Sequence, residues 1–209
     1  MEIIAVVIVI LSIIFHEAAH GYVAYWLGDP TAKYAGRLTL NPIPHIDLVG
    51  SIIVPGLALL SGSPFLLGWA KPVPINPYNL SWGKWGEALT TFAGPGTNIL
   101  IAVVVGLGVR FLGTGATTEA LTVAFIVIMA NISLAILNMI PIPPLDGSKV
   151  VAALLPPGLY MRYRELEHMT YALGPFGLVL VLIIIVNFLS APMGVLISSI
   201  FTLLTGIAL

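Results

Sequence analysis

The sequence has little charge and no cysteine. Only 8% of its 209 residues are Asp, Glu, Lys or Arg, whereas soluble domains carry about 25%. With 58% hydrophobic residues and a mean hydropathy of +1.05, the chain lacks the polar surface that water requires, and we predict an integral membrane protein. The net charge of −1 gives no reason to expect a nucleic-acid partner. The absence of cysteine excludes disulfides and thiolate metal ligands.

The first apolar stretch is predicted to be a retained membrane helix. No Lys or Arg precedes it, although a cleaved signal peptide normally begins with a positively charged region. Five stretches are long and apolar enough to cross about 30 Å of hydrocarbon, which takes roughly 20 residues. These predicted spans are 3–27, 88–112, 121–140, 171–189 and 192–209. No linker or internal repeat divides the chain, so we predict a single integral membrane domain over residues 1–209.

The stretch 48–69 is also apolar, but a Pro-Gly pair and an SGSP run interrupt it. If it crossed the membrane, two basic loop residues would lie on one side of the membrane and five on the other. If it dipped in and returned, seven would lie on one side and only Arg110 on the other. Because basic loops favour the cytoplasm, we predict about five transmembrane helices plus a re-entrant element, with the N-terminus outside.

Three ionisable residues interrupt the first span in the sequence His16-Glu17-Ala-Ala-His20. Positions i and i+4 share one face of a helix, so both imidazoles can face one ion, with the glutamate beside it. This HExxH spacing is typical of zinc sites in which the glutamate is the general base. An ionisable side chain at the centre of a membrane helix costs about 2.5–3.5 kcal/mol, which a divalent cation would offset. The alternative is a hydrogen-bonded structural cluster or a proton path.

A third ligand has to come from another part of the chain, where the candidates are His45, Asp47, Asp146 and His168. Asp146 follows three prolines in LNMIPIPPLDGSKV and precedes Gly147, so it ends an irregular stretch that could aim one carboxylate inward. The alternative is a turn aspartate that caps the next helix. The re-entrant topology places Asp146 and the HEAAH cluster toward the same membrane face. His45 and Asp47 could be ligands, a gate or interfacial groups, and His168 is expected to be solvated.

Three motifs in this order resemble those of the site-2 protease family, the intramembrane zinc metalloproteases of peptidase family M50. They are FHEAAHG, AGPGTN at 93–98 and LNMIPIPPLDG. GRLTLNPIPHID and GWAKPVPINPYN are similar to the small bacterial and archaeal branch that lacks PDZ and CBS domains. The resemblance covers about residues 10–155.

The resemblance implies an all-α membrane fold, with a three-helix catalytic core over about 1–155 and a two-helix extension over about 170–209. It implies one Zn²⁺ per chain held by His16, His20 and Asp146, with Glu17 as the catalytic base. Asn138 is implied to border the site and bind substrate, although an interhelical hydrogen bond would also explain it. The expected reaction is hydrolysis of peptide bonds in transmembrane protein substrates, in the cell membrane and toward its cytoplasmic side.

Two further expectations concern substrate access and the rival function. Residues 33–40 and 71–75 have extended character and could pair with an unwound substrate as β-like edges, or could be ordinary surface loops. Gly94, Gly96 and Asn98 are expected to form a small-residue packing face without a catalytic role. The alternative function is a metal-ion or proton transporter or channel that uses the HEAAH cluster. Inverted repeats would favour that alternative, and the sequence has none that we detect.

Overall fold

The structure is a computed structural model that describes residues 2–54, 56, 60 and 69–209. Among these residues it contains helices and irregular segments but no strand. The α-helices are α1 (Glu2–Trp26), α2 (Thr31–Tyr34), α3 (Lys84–Leu112), α4 (Thr118–Asn138), α5 (Asp146–Leu154), α6 (Pro157–Ala172), α7 (Pro175–Ile184) and α8 (Ser190–Thr205).

In the part of the chain that the structure describes, four helical segments are long and apolar enough to cross a membrane. They are Ile3–Trp26, Lys84–Leu112, Thr118–Asn138 and Phe176–Thr205. Helices satisfy their own backbone hydrogen bonds, which is why they can cross hydrocarbon. The prediction of an all-α, multi-pass membrane protein is confirmed.

The prediction of two separate spans at 171–189 and 192–209 is wrong. Helix α7, the π-helical turn Ile185–Leu189 and α8 follow one another without a loop, so Phe176–Thr205 is one segment of 30 residues. Pro192 does not divide it because this residue lies in the first turn of α8, where a missing N–H costs little. At 1.5 Å per residue the segment is about 45 Å long, enough for one crossing. The described residues therefore form four spans rather than five.

Helices α1, α3 and α4 pack together as the centre of the molecule, and α8 packs against α3 and α4. The apolar core between α3, α4 and α8 contains Ala102, Ile128, Ile132 and Phe201. Gly106 permits the close approach of α3 and α8, since a Cβ there would lie 2.8 Å from the Cβ of Leu204. The α1 contacts show that α3 runs antiparallel to α1, because Asn98 bonds Ser12 and Thr90 bonds His20.

Helices α5 and α6 are attached to the start of α3 by polar contacts. Arg164 of α6 contacts Glu87 of α3 at 3.0 Å and the buried Glu167 at 2.7 Å. Lys84 donates to the carbonyl of Leu155 at the end of α5. These contacts hold the short helix α5 against the three central helices, and α5 begins with Asp146.

The two ends of the stretch 48–69 lie side by side. The N–H of Trp69 donates to the carbonyl of Gly50 at 3.1 Å, and the Ser51 hydroxyl donates to the carbonyl of Trp69 at 2.9 Å. The chain therefore leaves and returns at one place, as the re-entrant prediction requires. Most of the stretch between these ends (55, 57–59 and 61–68) lies outside the described residues.

The β-like edges predicted at 33–40 and 71–75 are not present. Lys33 belongs to the helical turn α2, and residues 71–75 are irregular. Residues 71–75 do not form a β-like edge because their backbone N–H groups donate to acceptors in different parts of the molecule. Lys71 donates to the carbonyl of His45, and Val73 donates to Glu17.

Asp29 attaches the loop after residue 69 to the end of α1. It is 0% exposed and accepts hydrogen bonds from the N–H and hydroxyl of Thr31, the N–H of Asn76 and the side-chain amide of Asn79. Burial alone raises the pKa of Asp29, but these hydrogen bonds outweigh it and hold the pKa below its usual value.

We predict that Asp29→Ala lowers the free energy of unfolding by roughly 3 kcal/mol, because several buried donors lose a charged acceptor. The folded-state pKa is depressed, so this contribution is present above the ordinary aspartate pKa of about 3.9. It is lost as the pH falls through the folded-state pKa. Thermal unfolding in detergent measures the change, with the exposed Glu119→Ala as the control. An unchanged melting temperature for Asp29→Ala would contradict the prediction.

Candidate metal centre and active site

His16 and His20 lie one turn apart on α1 and are 5% and 6% exposed. Their rings are nearly perpendicular, with centroids 4.6 Å apart, and their Nε2 atoms approach to 3.0 Å. The i, i+4 spacing therefore directs two imidazole nitrogens to one point, as predicted.

Asp146, the first residue of α5, completes a group of three possible ligands. Its Oδ2 lies 3.1 Å from Nε2 of His16 and 3.3 Å from Nε2 of His20. Gly147 allows this placement, because a Cβ there would lie 2.2 Å from the carbonyl oxygen of Met139 at the end of α4. The structure thus brings together residues 130 positions apart on the same side of the molecule.

The two Nε2 atoms and Oδ2 of Asp146 are arranged to bind a cation, and without one they repel each other. Nδ1 of His20 contacts the carbonyl of Thr90 at 2.8 Å, and Nδ1 of His16 contacts Oδ1 of Asn98 at 2.7 Å. Both acceptors require a proton on Nδ1, which leaves a lone pair on each Nε2 of the neutral rings. Two lone pairs and a carboxylate oxygen at 3.0–3.3 Å repel each other unless positive charge lies between them.

The donor set and spacing match zinc. Imidazole nitrogen and carboxylate oxygen are zinc ligands, and three protein ligands with an open position are typical of catalytic sites. Tetrahedral ligands with bonds of 2.0–2.1 Å lie about 3.3 Å from each other, close to the separations found here. Among the described residues, His16, His20 and Asp146 are the group that could hold a metal ion.

Glu17 is next to this group and is held by an irregular segment. Its Oε2 accepts a hydrogen bond from the N–H of Val73 at 3.0 Å. The side chain of Val73 is buried and packs near Gly21, where a Cβ would approach it to 3.1 Å. Arg37, which is also buried, donates to the carbonyls of Lys71 and Pro72. The segment 71–75 therefore lies against the face of α1 that carries Glu17.

Asn138, His45 and Asp47 form hydrogen bonds with backbone groups and not with the three candidate ligands. Asn138, the last residue of α4, donates its side-chain amide to the carbonyl of Leu134. His45 is buried and contacts the carbonyl of Thr39. Asp47 accepts from two backbone N–H groups at the start of the π-helical turn. His168 is exposed, as expected.

Sequence reasoning missed the residues that orient the imidazoles. Asn98 was expected only to pack, yet its side chain contacts His16 directly. Thr90 contributes a backbone carbonyl, for which residue type carries no signal. Asn98 could have been identified from the sequence, because a polar side chain inside a predicted membrane span is a candidate for function.

Sequence comparisons relate this chain to known proteins that are named as zinc metalloproteases. The model of "Peptidase family M50" matches residues 107–184. "Putative zinc metalloprotease YwhC" of Bacillus subtilis is 36% identical over 171 residues, which cover 78% of this chain and 74% of that protein. "Putative zinc metalloprotease Rip2" is 28% identical in Mycolicibacterium smegmatis and 29% in Mycobacterium tuberculosis, over 66% of this chain. The match spans about half, 52%, of both Rip2 proteins. No solved structure gives a significant match.

The fold and the site define a polytopic helical membrane protein with a metallopeptidase type of centre. The chain belongs to peptidase family M50. The resemblance to the site-2 protease family is confirmed, and the protein is a metallopeptidase.

We predict that Gly94→Ala weakens metal binding. A Cβ at this position would lie 2.4 Å from Nε2 of His20 and 2.7 Å from Cε1 of His16, so at least one imidazole must move. Changes to groups that orient metal ligands typically reduce affinity about 10–100-fold. Competition with a zinc-binding dye on the detergent-purified protein measures this affinity.

The matched control for this prediction is Gly108→Ala. Gly108 lies on the same helix with no atom within 4 Å of the added Cβ, so zinc affinity should not change. Equal affinities for the two variants would contradict the role given to Gly94.

Proposed function

We propose that this protein is an intramembrane zinc metalloprotease that hydrolyses peptide bonds within or near transmembrane segments of other membrane proteins, as in regulated intramembrane proteolysis. In this proposal His16, His20 and Asp146 hold one Zn²⁺, and Glu17 is the general base. The supporting observation is the convergence of three candidate ligand atoms within 3.3 Å of one another. Two of them, from His16 and His20, belong to a helix that is apolar enough to cross the bilayer.

The depth of the site supports a substrate that lies in the membrane. His16 and His20 belong to the span Ile3–Trp26 and are enclosed by α3 and α5. A peptide bond has to reach this position to be cut, and a peptide bond of a transmembrane segment is already at this level. Such a segment must unwind first, because a helical peptide bond is shielded by its own hydrogen bonds.

The chemistry divides between the metal and Glu17. When bound, zinc supplies a Lewis acid that polarises a carbonyl and acidifies water. The carboxylate of Glu17 would accept a proton from the attacking water and return it to the departing amide nitrogen. The N–H of Val73 donates to Oε2 of Glu17, and in this proposal the other carboxylate oxygen accepts the proton. Asn138 is retained in the proposal as a substrate-binding residue at the end of α4.

The distribution of basic residues supports a site that faces the cytoplasm. Arg37 and Lys71 are on the segments that cover Glu17, while Lys84 and Arg164 are at the end of α3 that approaches His20. Arg110 lies at the opposite end of α3, where it contacts the end of α8. Because basic residues favour the cytoplasmic side, we infer that the metal group lies toward that side of the cell membrane.

We predict that Glu17→Gln abolishes cleavage and retains zinc. Removing a general base typically lowers the rate about 10²–10⁴-fold, while the three proposed ligands remain. The measurement is cleavage of a model transmembrane substrate in detergent, together with zinc per chain. His16→Ala should instead lose both zinc and cleavage.

Two outcomes would contradict the proposed function. One is equal cleavage by wild type and Glu17→Gln. The other is zinc or proton flux through wild-type protein in liposomes without any cleavage, which the transporter or channel alternative predicts.

We predict that Val73→Pro reduces kcat about tenfold or more and leaves the zinc content unchanged. Proline has no N–H, so Oε2 of Glu17 loses its donor, whereas the metal ligands are untouched. Val73→Ala is the matched variant, because it trims the side chain and keeps the N–H. Loss of zinc in Val73→Pro, or an equal loss of kcat in both variants, would contradict this role of the Val73 amide.

A further inference from the structure

A chain of buried polar side chains leads from the backbone of α1 to the metal-facing histidine. Ser12, Asn98 and Asn131 are 4%, 0% and 0% exposed. The Ser12 hydroxyl donates to the carbonyl of Ile8 at 2.8 Å. The Asn131 amide donates to the Ser12 hydroxyl at 2.9 Å, and the Asn98 amide donates to Oδ1 of Asn131 at 2.8 Å. The chain joins α1, α3 and α4 within the membrane-spanning region.

Backbone carbonyls set the direction of every hydrogen bond in this chain. The carbonyl of Val127 can only accept, and it lies 2.9 Å from Asn131, so the atom facing it is Nδ2. The other end of Asn131 is then Oδ1, an acceptor, which requires Nδ2 of Asn98 to face it. The carbonyl of Ser12, 3.3 Å from the same Asn98 nitrogen, imposes the same orientation. Oδ1 of Asn98 is therefore the atom that faces His16.

The orientation of Asn98 decides which nitrogen of His16 carries the proton. An acceptor 2.7 Å from Nδ1 selects the Nδ1–H form, and the lone pair of the neutral ring is then on Nε2. A flipped Asn98 would present an N–H to Nδ1, select the Nε2–H form and direct a proton into the metal group. No water is available in hydrocarbon to satisfy displaced donors, so reversing one amide would leave several buried polar groups without a hydrogen-bond partner, which is unfavourable.

We infer that Asn131 and Ser12 are positioning residues, which act through Asn98 to hold His16 in the Nδ1–H form and so keep Nε2 available to the metal. This inference rests on the proposed function, because it concerns the same metal site. His20 is independent of the chain, since its Nδ1 contacts the backbone carbonyl of Thr90. The two histidines should therefore respond differently when the chain is broken.

The test uses Asn131→Leu, which keeps the branched arrangement of side-chain heavy atoms and has no polar atom. Nitrogen-15 labelling of the four histidines in the metal-free, detergent-purified protein reports the tautomer of each ring. We expect His16 to change from one Nδ1–H form to a mixture of tautomers, while His20 keeps its signal. Zinc affinity, measured by competition with a zinc-binding dye, should fall about 10–100-fold, as for other groups that orient a ligating histidine.

Asn131→Asp serves as the conservative rescue. A carboxyl group buried among membrane helices is neutral, so its hydroxyl can donate to Val127 and its other oxygen can accept from Asn98. It has one donor where the native amide has two and so gives up the donation to Ser12, but it keeps the acceptor that orients Asn98. The His16 signal and zinc affinity should then return to wild-type values. Thr205→Val, which removes a buried hydroxyl that donates to its own helix on α8, should leave both readings unchanged.

If Asn131→Leu does not fold, Ser12→Ala is measured in the same two assays, with a severalfold loss of zinc affinity and a second His16 signal expected. A single Nδ1–H form of His16 with wild-type zinc affinity, in the variant that folds, would overturn the inference. An equal change at His20 would also overturn it, because that indicates general disruption of the helices. Neither assay uses a substrate, so the inference about His16 is tested independently of proteolysis. If the proposed proteolysis is wrong, the wild-type protein will bind zinc and will not cleave a substrate.

Discussion

The mutual repulsion of three electron-rich atoms is the constraint on which the site depends. Two imidazole nitrogens and a carboxylate oxygen lie 3.0–3.3 Å apart in surroundings of low polarity, where electrostatic interactions are strong. A cation at its centre would therefore stabilise this arrangement. It follows that the elements around it have two tasks: to bring the three atoms together and to prevent them from turning away.

Small residues and carbonyls perform these tasks. Gly94 and Gly147 remove the Cβ atoms that would collide with an imidazole and with the end of α4. The carbonyl of Thr90 and the side chain of Asn98 hold the outer nitrogen of each imidazole. In water such groups could exchange partners with solvent, but in a membrane each unpaired polar atom costs several kcal/mol. The bilayer therefore makes the polar interior directional, and this is the physical basis for control of the His16 tautomer from Asn131.

Sequence patterns predicted the ligand group better than they predicted the membrane topology. The His16–His20 pair follows from helix periodicity, and the three candidate ligands lie together, as the motifs and the re-entrant topology predicted. The predicted number of spans was wrong at Pro192. The sequence does not distinguish a proline in the first turn of a helix, which is tolerated, from a proline that separates two helices. The edges near Val73 failed because extended character does not specify which acceptor each N–H will find.

Composition and i, i+4 spacing are local properties, and they were sufficient to predict the membrane environment, the helical class and the pair of histidines that could bind a metal. Two features became visible only in the folded chain: the hydrogen-bonded series of Asn98, Asn131 and Ser12, and the contact between the N–H of Val73 and Glu17. The residues joined by these contacts are separated by 33 to 119 positions in the sequence. Their geometry depends on how α1, α3 and α4 pack, and no local pattern encodes the direction in which a buried amide points.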